Sequence, residues 1–457
     1  MNKKYSIIQF TKQTLANDTK EFMSERTNKT DVIIVGGGPA GLAAAVTIAR
    51  AGYETVVIER GSFAGSKNVF GGAIYTDATR EIFPNFEQTA PLERKNIEHK
   101  FAILGEDDST IISYRKNPKE AISYSVIRGK FDRWMAEEAE KAGAVIVEET
   151  VVRELILEGE KVIGVRTEIE DYYANIVILA DGVNSLLSKQ IGFRKDIKPK
   201  DVALSVKEVI KLDKNIINDR FLINDDEGCI YELFGGSMLS KLGLGFIYTN
   251  KDSVSIGLGI TLDELNGTGI KPYELLDKIK EHPTIAPLIK GGETVEYSAH
   301  LIPEGGYKKL PKLSGAGVMV AGDAAMLVNN MHWEGTNLAM ISGKIAGETA
   351  VFALSKNDFS EKILAKYNKE LEKSFIMKDL YTYRNLMDVM HDKKSVFMDF
   401  YFKKINAFFE MFTSVNGIPK RQLYRTFIFD FLKERGICGL LSDGWSVLKL
   451  IWSILIK

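Results

Sequence analysis

Residues 31–52 read DVIIVGGGPAGLAAAVTIARAG, and ETVVIER follows at 54–60. A short apolar run, a glycine turn, a helix of small residues and a second apolar run predict strand, turn, helix and strand in one parallel unit. Within it Gly36, Gly38 and Gly41 fall at the spacing of a dinucleotide fingerprint. Gly36 permits the tight turn, and Gly38 lets a pyrophosphate approach bare backbone where the helix starts. Gly41, with Ala43 to Ala45, lets helix and sheet pack closely, and Ala40 belongs to the same turn. Glu59 closes the second strand about 20 residues on, where an acid accepts hydrogen bonds from the adenosine ribose. Glycine spacing alone often arises by chance; with strand, helix, strand and terminal acid around it, the signal is far more specific.

Two later stretches say which dinucleotide to expect. ANIVILADGVNSLLSK is an apolar strand ending at Asp181, and GVMVAGDAA is another ending at Asp323. Acids at the carboxyl ends of parallel strands stand where open α/β sheets place their ligands. An Asp there is by itself most often a turn or helix cap. In register with the glycine fingerprint, Asp323 reads as an acceptor for the hydroxyls of a ribityl chain, which flavin has and nicotinamide lacks. The helix that opens after Gly335 carries small residues at 335, 339, 343, 346, 347 and 350. It can therefore lie close to its neighbours, with the first N–H groups, those of Thr336 and Asn337 among them, aimed at a cofactor. The later pairs Gly243-x-Gly245 and Gly257-x-Gly259 lack a third glycine and a following helix. One dinucleotide site is expected, holding FAD.

The remaining composition narrows the class. At 457 residues, 45% hydrophobic and 26% charged, the chain can bury a large core in two or three domains. A net charge of -1 gives no reason to expect nucleic acid. Two cysteines, Cys229 and Cys438, cannot hold an iron–sulfur cluster, which ordinarily takes four thiolates. The first 20 residues lack the apolar core of a secretory signal, and no run reaches the roughly 18 apolar residues of a spanning helix, so a cytoplasmic protein is expected. No metal site is expected.

Beyond these features, the chain resembles the electron-transfer-flavoprotein:quinone oxidoreductases, and within them the FixC branch of the geranylgeranyl-reductase-like flavoprotein superfamily. The resemblance runs from about residue 30 to 445, in matching order through VGGGPAG, ERGSFAGSKNVFGGAIY, SVIRGKFDRWMAEEAEKAGA, VILADGVNSLLSK, VKEVI, INDRF, YTNKDSVSIGLG, YSAHLIPEGGY and GDAA. It implies FAD contacts at Gly36, Gly38, Gly41, Glu59, Arg60, Arg128, Val152, Asp323 and Gly335, with Gly71 and Gly72 approaching the flavin ring. A guanidinium at Arg128 suits a diphosphate, which it can grip bidentately; Val152 offers only backbone.

For chemistry the resemblance implies electron transfer from a reduced electron transfer flavoprotein, through FAD, to a membrane quinone. It also implies a two-subunit electron transfer flavoprotein and a separate ferredoxin-like iron–sulfur protein as partners, in an assembly that bifurcates electrons in some relatives. The redox work belongs to the isoalloxazine, so no catalytic triad is expected. Tyr231, His300 and His332 fall in segments that can face the ring, as candidate proton relays; the bland alternative is that all three are structural. Three rival readings stay open: a prenyl-lipid reductase, an aromatic hydroxylase, and a redox-silent prenyl-binding escort.

The expected architecture is α/β: a Rossmann-like FAD-binding domain of the GR2 or para-hydroxybenzoate-hydroxylase type, an antiparallel-sheet quinone domain, and a helical C-terminal region. The boundaries are an N-terminal extension at 1–29, a discontinuous FAD domain at 30–190 plus 300–355, the sheet domain at 191–299 with about 76–119, and helices over 356–457. LLSDGWSVLKLIWSILIK at the C-terminus puts Ser442, Ser446, Lys449, Ser453 and Lys457 on one stripe and Leu441, Trp445, Leu448, Trp452 and Leu455 opposite. Too short to span, it reads as a helix lying in a membrane interface or docked on protein, which makes the chain peripheral on the cytoplasmic membrane face.

Overall fold

The computed structural model describes residues 29–67, 72–116, 120–235 and 243–455. Its first sheet carries the parallel strands Val318–Val320, Asp171–Leu179, Lys29–Val35, Thr55–Ile58 and Val145–Val147, side by side in that order. The inner strands are covered on both faces where they approach the site, which is why they end in almost unbroken runs of Val, Ile and Leu rather than alternating ones; Val145–Val147, at the edge, is partly exposed. From Lys29–Val35 the chain steps to Thr55–Ile58 on one side, while Asp171–Leu179 fills the other. That split opens a crevice at the carboxyl edge, beside Val35 and Leu179. The antiparallel strands Val152–Glu158 and Lys161–Thr167 hang from Asp171–Leu179.

Two helices lie face to face against this sheet. Pro39–Arg50 is buried over nearly its whole length, and Thr336–Lys356 crosses it through glycines. A Cβ at Gly347 would stand 2.8 Å from the Cβ of Thr47, so only a hydrogen fits there. The small residues at helical spacing are thus explained by the contact of these two helices.

The second sheet runs in the order Glu293–Pro303, Val202–Lys211, Ser253–Thr261, Gly243–Thr249, Glu227–Gly235, Leu92–Leu104, Ser123–Val126, Ala73–Tyr75. It is antiparallel except where Glu227–Gly235 pairs in parallel with Leu92–Leu104, a long-range partner that local sequence does not reveal. Alternation divides its two faces. Cys229, Tyr231 and Leu233, with Val254, Ile256, Leu258 and Ile260, enter a second core under the helix Pro272–Glu281. Ile230, Glu232, Phe234, Gly259 and Thr261 face the other way, toward the first sheet.

Beyond Lys356 the described chain is helical. The last helix, Ile437–Leu455, begins earlier than its polar stripe implied, and its 19 residues are long and apolar enough, by length and composition, to cross a membrane. This corrects the expectation of a segment too short to span. Thr336–Lys356 passes the same measure but is mostly buried within the fold. In Ile437–Leu455 the buried side is Asp443 and Ser453, whereas Leu441, Trp445, Leu448, Trp452 and Leu455 are exposed. Lys457 lies outside the described residues.

Candidate cofactor and substrate cavity

Strand ends set the site. Val35 leads into Gly36, whose φ of +107° places it in the left-handed region, and a Cβ there would stand 2.3 Å from the Ala180 oxygen. Gly38 caps the helix Pro39–Arg50, with no side-chain cap and no acid in the first turn, so the N–H groups and the positive helix end stay open to an anion. Gly41 approaches the Gly36 oxygen so closely that a Cβ would lie 2.0 Å from it. Glu59 is held from both sides: its carboxylate accepts from the N–H of Gly37 at 2.8 Å and of Gly61 at 2.6 Å. The backbone therefore fixes this acid, and each oxygen keeps a lone pair for a further donor.

From this turn a cavity of about 610 Å³ extends between the two sheets. Gly36, Gly38, Ala40, Glu59, Arg60 and Val152 line one end, and Asp181, Asp323, Gly335 and Thr336 the middle. Burial pushes the Asp181 carboxyl up to about 6, against the pull of its own and the Leu187 backbone N–H and of Arg194 and Arg60. Its Oδ1 is buried without a hydrogen-bond partner. Burial likewise raises Asp323 to about 6, with Arg128 opposing. Two desolvated acids, one with an orphaned oxygen, are acceptors placed for ligand hydroxyls.

Other expected contacts sit differently. Arg128 begins its helix, Arg128–Lys141, rather than preceding it. Its Nε and Nη2 donate to the two oxygens of Asp132, both at 2.9 Å, and Nη1 donates to Thr336 Oγ1 at 3.1 Å. The bidentate fork expected for a diphosphate is thus engaged by Asp132, one helical turn on, and the arginine ties this helix to the start of Thr336–Lys356. Gly72 lies against the Tyr248 ring, where a Cβ would come within 2.8 Å, and is not among the residues lining either cavity. Gly71 lies outside the described residues. Gly335 has ordinary space around it, so its bareness serves the cavity rather than packing. Asn337 lines a smaller adjoining chamber, where its Oδ1 lacks a partner.

The three relay candidates separate. His300 lines the main cavity, where burial, then Arg128 and Arg60, push its pKa down to about 4, so it is neutral at physiological pH. His332 is exposed, lines the small chamber and shares a 3.0 Å hydrogen bond with the Tyr383 hydroxyl. Tyr231 points away into the second core, its hydroxyl 3.2 Å from Lys100 Nζ, because strand alternation aims it opposite to Glu232. It cannot face a ring in the cavity.

Sequence reasoning missed the far end. Phe234, Trp333, Leu386, Met387, Met390 and Met398 form an apolar wall there, with Phe234 packed on Trp333 at 5.4 Å and Phe402 at 6.1 Å. Glu304 lines the same cavity, and burial pushes its pKa up to about 8. Its signal was present in LIPEGG, an acid directly after a strand-ending proline, but nothing local marks the methionines 80 or so residues later as lining the same cavity.

A long dinucleotide with hydroxyls along its linker and a flat redox ring suits the uncapped helix ends, the bare glycines and the orphaned Asp181 oxygen. The class these features define is an FAD-binding oxidoreductase. Residues 29–225 match the FAD binding domain family, 203–302 the "ETF-QO, ubiquinone-binding" family and 386–452 the "ETF-QO/FixC family C-terminal domain". The chain is 42% identical to protein FixC of Bradyrhizobium diazoefficiens over 91% of its own length and 97% of that protein. It is 40% identical to a probable electron transfer flavoprotein-quinone oxidoreductase, YdiS, of Escherichia coli over 91% and 98%. The chain belongs to the FixC and electron-transfer-flavoprotein:quinone oxidoreductase family. Among solved structures, a geranylgeranyl bacteriochlorophyll reductase-like protein of Thermoplasma acidophilum shares the fold, with a TM-score of 0.68 at 22% identity, over 89% of this chain and 98% of that one.

Proposed function

We propose that this chain passes electrons from a reduced electron transfer flavoprotein, through its FAD, to a membrane quinone. The observation that carries this reading is the continuity of one cavity. It runs from the dinucleotide turn, past Asp323, to the apolar wall that the quinone-binding segment (Phe234, Leu244) and the C-terminal family domain (Met387, Met390, Met398) build together. Unbranched, polarisable methionines suit a flexible apolar ligand better than a rigid one.

Bound FAD would supply the two-electron chemistry. Glu59 and Asp181 would hold hydroxyls of its adenosine half, Asp323 those of the ribityl chain, and the N–H groups after Gly335 would face negative charge on the ring. His300, being neutral, adds no competing charge, and the apolar wall excludes water. We take the FAD domain as 30–190 plus 300–355, the quinone sheet domain as 191–299 with 76–119, and the helical region as 356–457; the second sheet reaches across these bounds at Ala73–Tyr75, Ser123–Val126 and the end of Glu293–Pro303.

With two cysteines in the chain, clusters are assigned to a separate ferredoxin-like protein, and the electron donor to a two-subunit electron transfer flavoprotein. The exposed apolar side of Ile437–Leu455, with Trp445 and Trp452, would rest on the cytoplasmic membrane face. Purification of the native assembly tests the partner set: the yellow chain should bring both flavoprotein subunits and an iron–sulfur signal with it. A prenyl reductase shares the fold; hydrogenation of a geranylgeranyl lipid without any reaction with quinone would replace the present reading by that one.

A further inference from the structure

Against the main cavity, across a wall formed by Leu244, Trp333, Gly335 and Thr336, lies a second chamber of about 40 Å³. By volume it accommodates roughly three water molecules. Its lining is mixed: His99, Glu232, Glu334 and Asn337, with Tyr75 and Tyr248, stand among apolar side chains such as Ile230 and Phe246. Several of these groups are incompletely bonded. Glu232 Oε2 is buried with no partner, and so is Oδ1 of Asn337, a residue only 7% exposed. Polar groups left so inside a fold call for a bound polar species. At the outer rim His99 is one-third exposed, and its Nδ1 stands 3.9 Å from Glu232 Oε1.

We propose that this chamber is a proton-uptake site: water held by Glu232, Glu334 and Asn337 passes protons from the His99 rim to the substrate side of the main cavity. The inference rests on the quinone-reducing reading. A quinone becomes a quinol by gaining two electrons and two protons. Bound FAD, in its reduced anionic form, would supply both electrons and one proton on returning to the oxidised form, and the second proton would come from solvent. The apolar wall bars that proton from the quinone's own entrance. The chamber offers a route that does not cross it. His99 supplies an imidazole at the rim, whose two ring nitrogens can accept and donate a proton. Glu232 receives, and Glu334 and the two tyrosine hydroxyls continue the chain to the wall at Gly335. His332, which also borders the chamber, is bonded outward to Tyr383 and lies off this line.

The test compares two acceptors for the anaerobically reduced, FAD-loaded protein: a short-chain quinone, which takes protons, and ferricyanide, which takes none. Glu232→Gln should slow quinone reduction about a hundredfold, the lower end of what losing a proton-transfer group costs, and leave ferricyanide reduction unchanged. Glu232→Asp should recover part of the rate. The reduced-minus-oxidised infrared difference spectrum should show a carboxyl band in the wild type that Glu232→Gln removes. Should Glu232→Gln fail to fold, Glu334→Gln is read by the same comparison. Equal rates in variant and wild type with quinone, or equal losses with both acceptors, overturn the proposal. A wild-type protein that ferricyanide reoxidises and quinone does not would overturn the quinone reading itself.

Discussion

Gly343, in the helix Thr336–Lys356, sits so close to Ala40 that a Cβ on it would lie 2.0 Å from the Ala40 carbonyl oxygen. Ala40 belongs to the first turn of the helix Pro39–Arg50 and Gly343 to the helix whose N-terminus borders the cavity. One backbone contact therefore sets the distance between the two uncapped helix ends that would hold opposite parts of the cofactor.

Gly343→Ala should force these helices apart, at a cost of about 1–3 kcal/mol for overpacking. The lower melting temperature should come with weaker FAD retention, measured by flavin fluorescence after gel filtration. A variant that melts lower but keeps its flavin fully would separate the packing role from the spacing role.

Asp323→Ala should leave the fold intact, since no protein group depends on its carboxylate in a described side-chain hydrogen bond, and should weaken FAD binding. Loss of hydrogen bonds to a charged group is worth about 1.5–3 kcal/mol, or roughly 10- to 100-fold in affinity. Titration of the cofactor-free protein with FAD reads this directly.

Glu304 makes the cofactor-free protein pH-sensitive. Its carboxyl is raised by burial from an ordinary 4.5 to about 8, so between those values the folded chain holds a proton the unfolded chain has released. Stability should therefore fall as pH rises from about 4.5 to about 8. Thermal melts of the cofactor-free protein across that range should show the decline, and Glu304→Gln should flatten it between about 6 and 8, above the range of Asp181 and Asp323.

Asp443 gives the opposite slope. Hydrogen bonds from Arg435, then from Tyr401 and Lys393, hold its carboxyl down at about 2, so this clasp is fully present above the ordinary 3.8 and is lost as pH falls toward 2. It joins Ile437–Leu455 to two preceding helical segments. Asp443→Asn should expose the C-terminal helices to protease at neutral pH while FAD stays bound.

The parts of this structure that were legible in sequence are those coded locally. Gly36 to Gly41, Glu59, Asp181 and Asp323 each follow a short apolar strand, and position after a strand suffices to put them on one edge. Tyr231 was misplaced because one residue of register decides which face of a strand a side chain occupies, and the loop sequence around it does not give the register. Arg128, which the resemblance puts at a diphosphate, lines the cavity with its fork on Asp132, an i to i+4 pairing that stands in the sequence RGKFD. Glu304 and the methionines at 387, 390 and 398 line one cavity, and Glu232 the chamber beside it, only through long-range packing of the second sheet and the C-terminal helices. No periodicity in the chain announces them.

In the proposed function, quinone reaches the flavin through the methionine-lined end of the cavity. Anaerobic stopped-flow mixing of the photoreduced protein with increasing short-chain quinone tests it most directly. Flavin colour should return with one quinol formed per flavin, at a rate that saturates with quinone in the wild type and loses saturation in Met390→Lys. Flavin that stays bleached with quinone yet regains colour with ferricyanide, or a Met390→Lys protein that saturates as the wild type does, would contradict it.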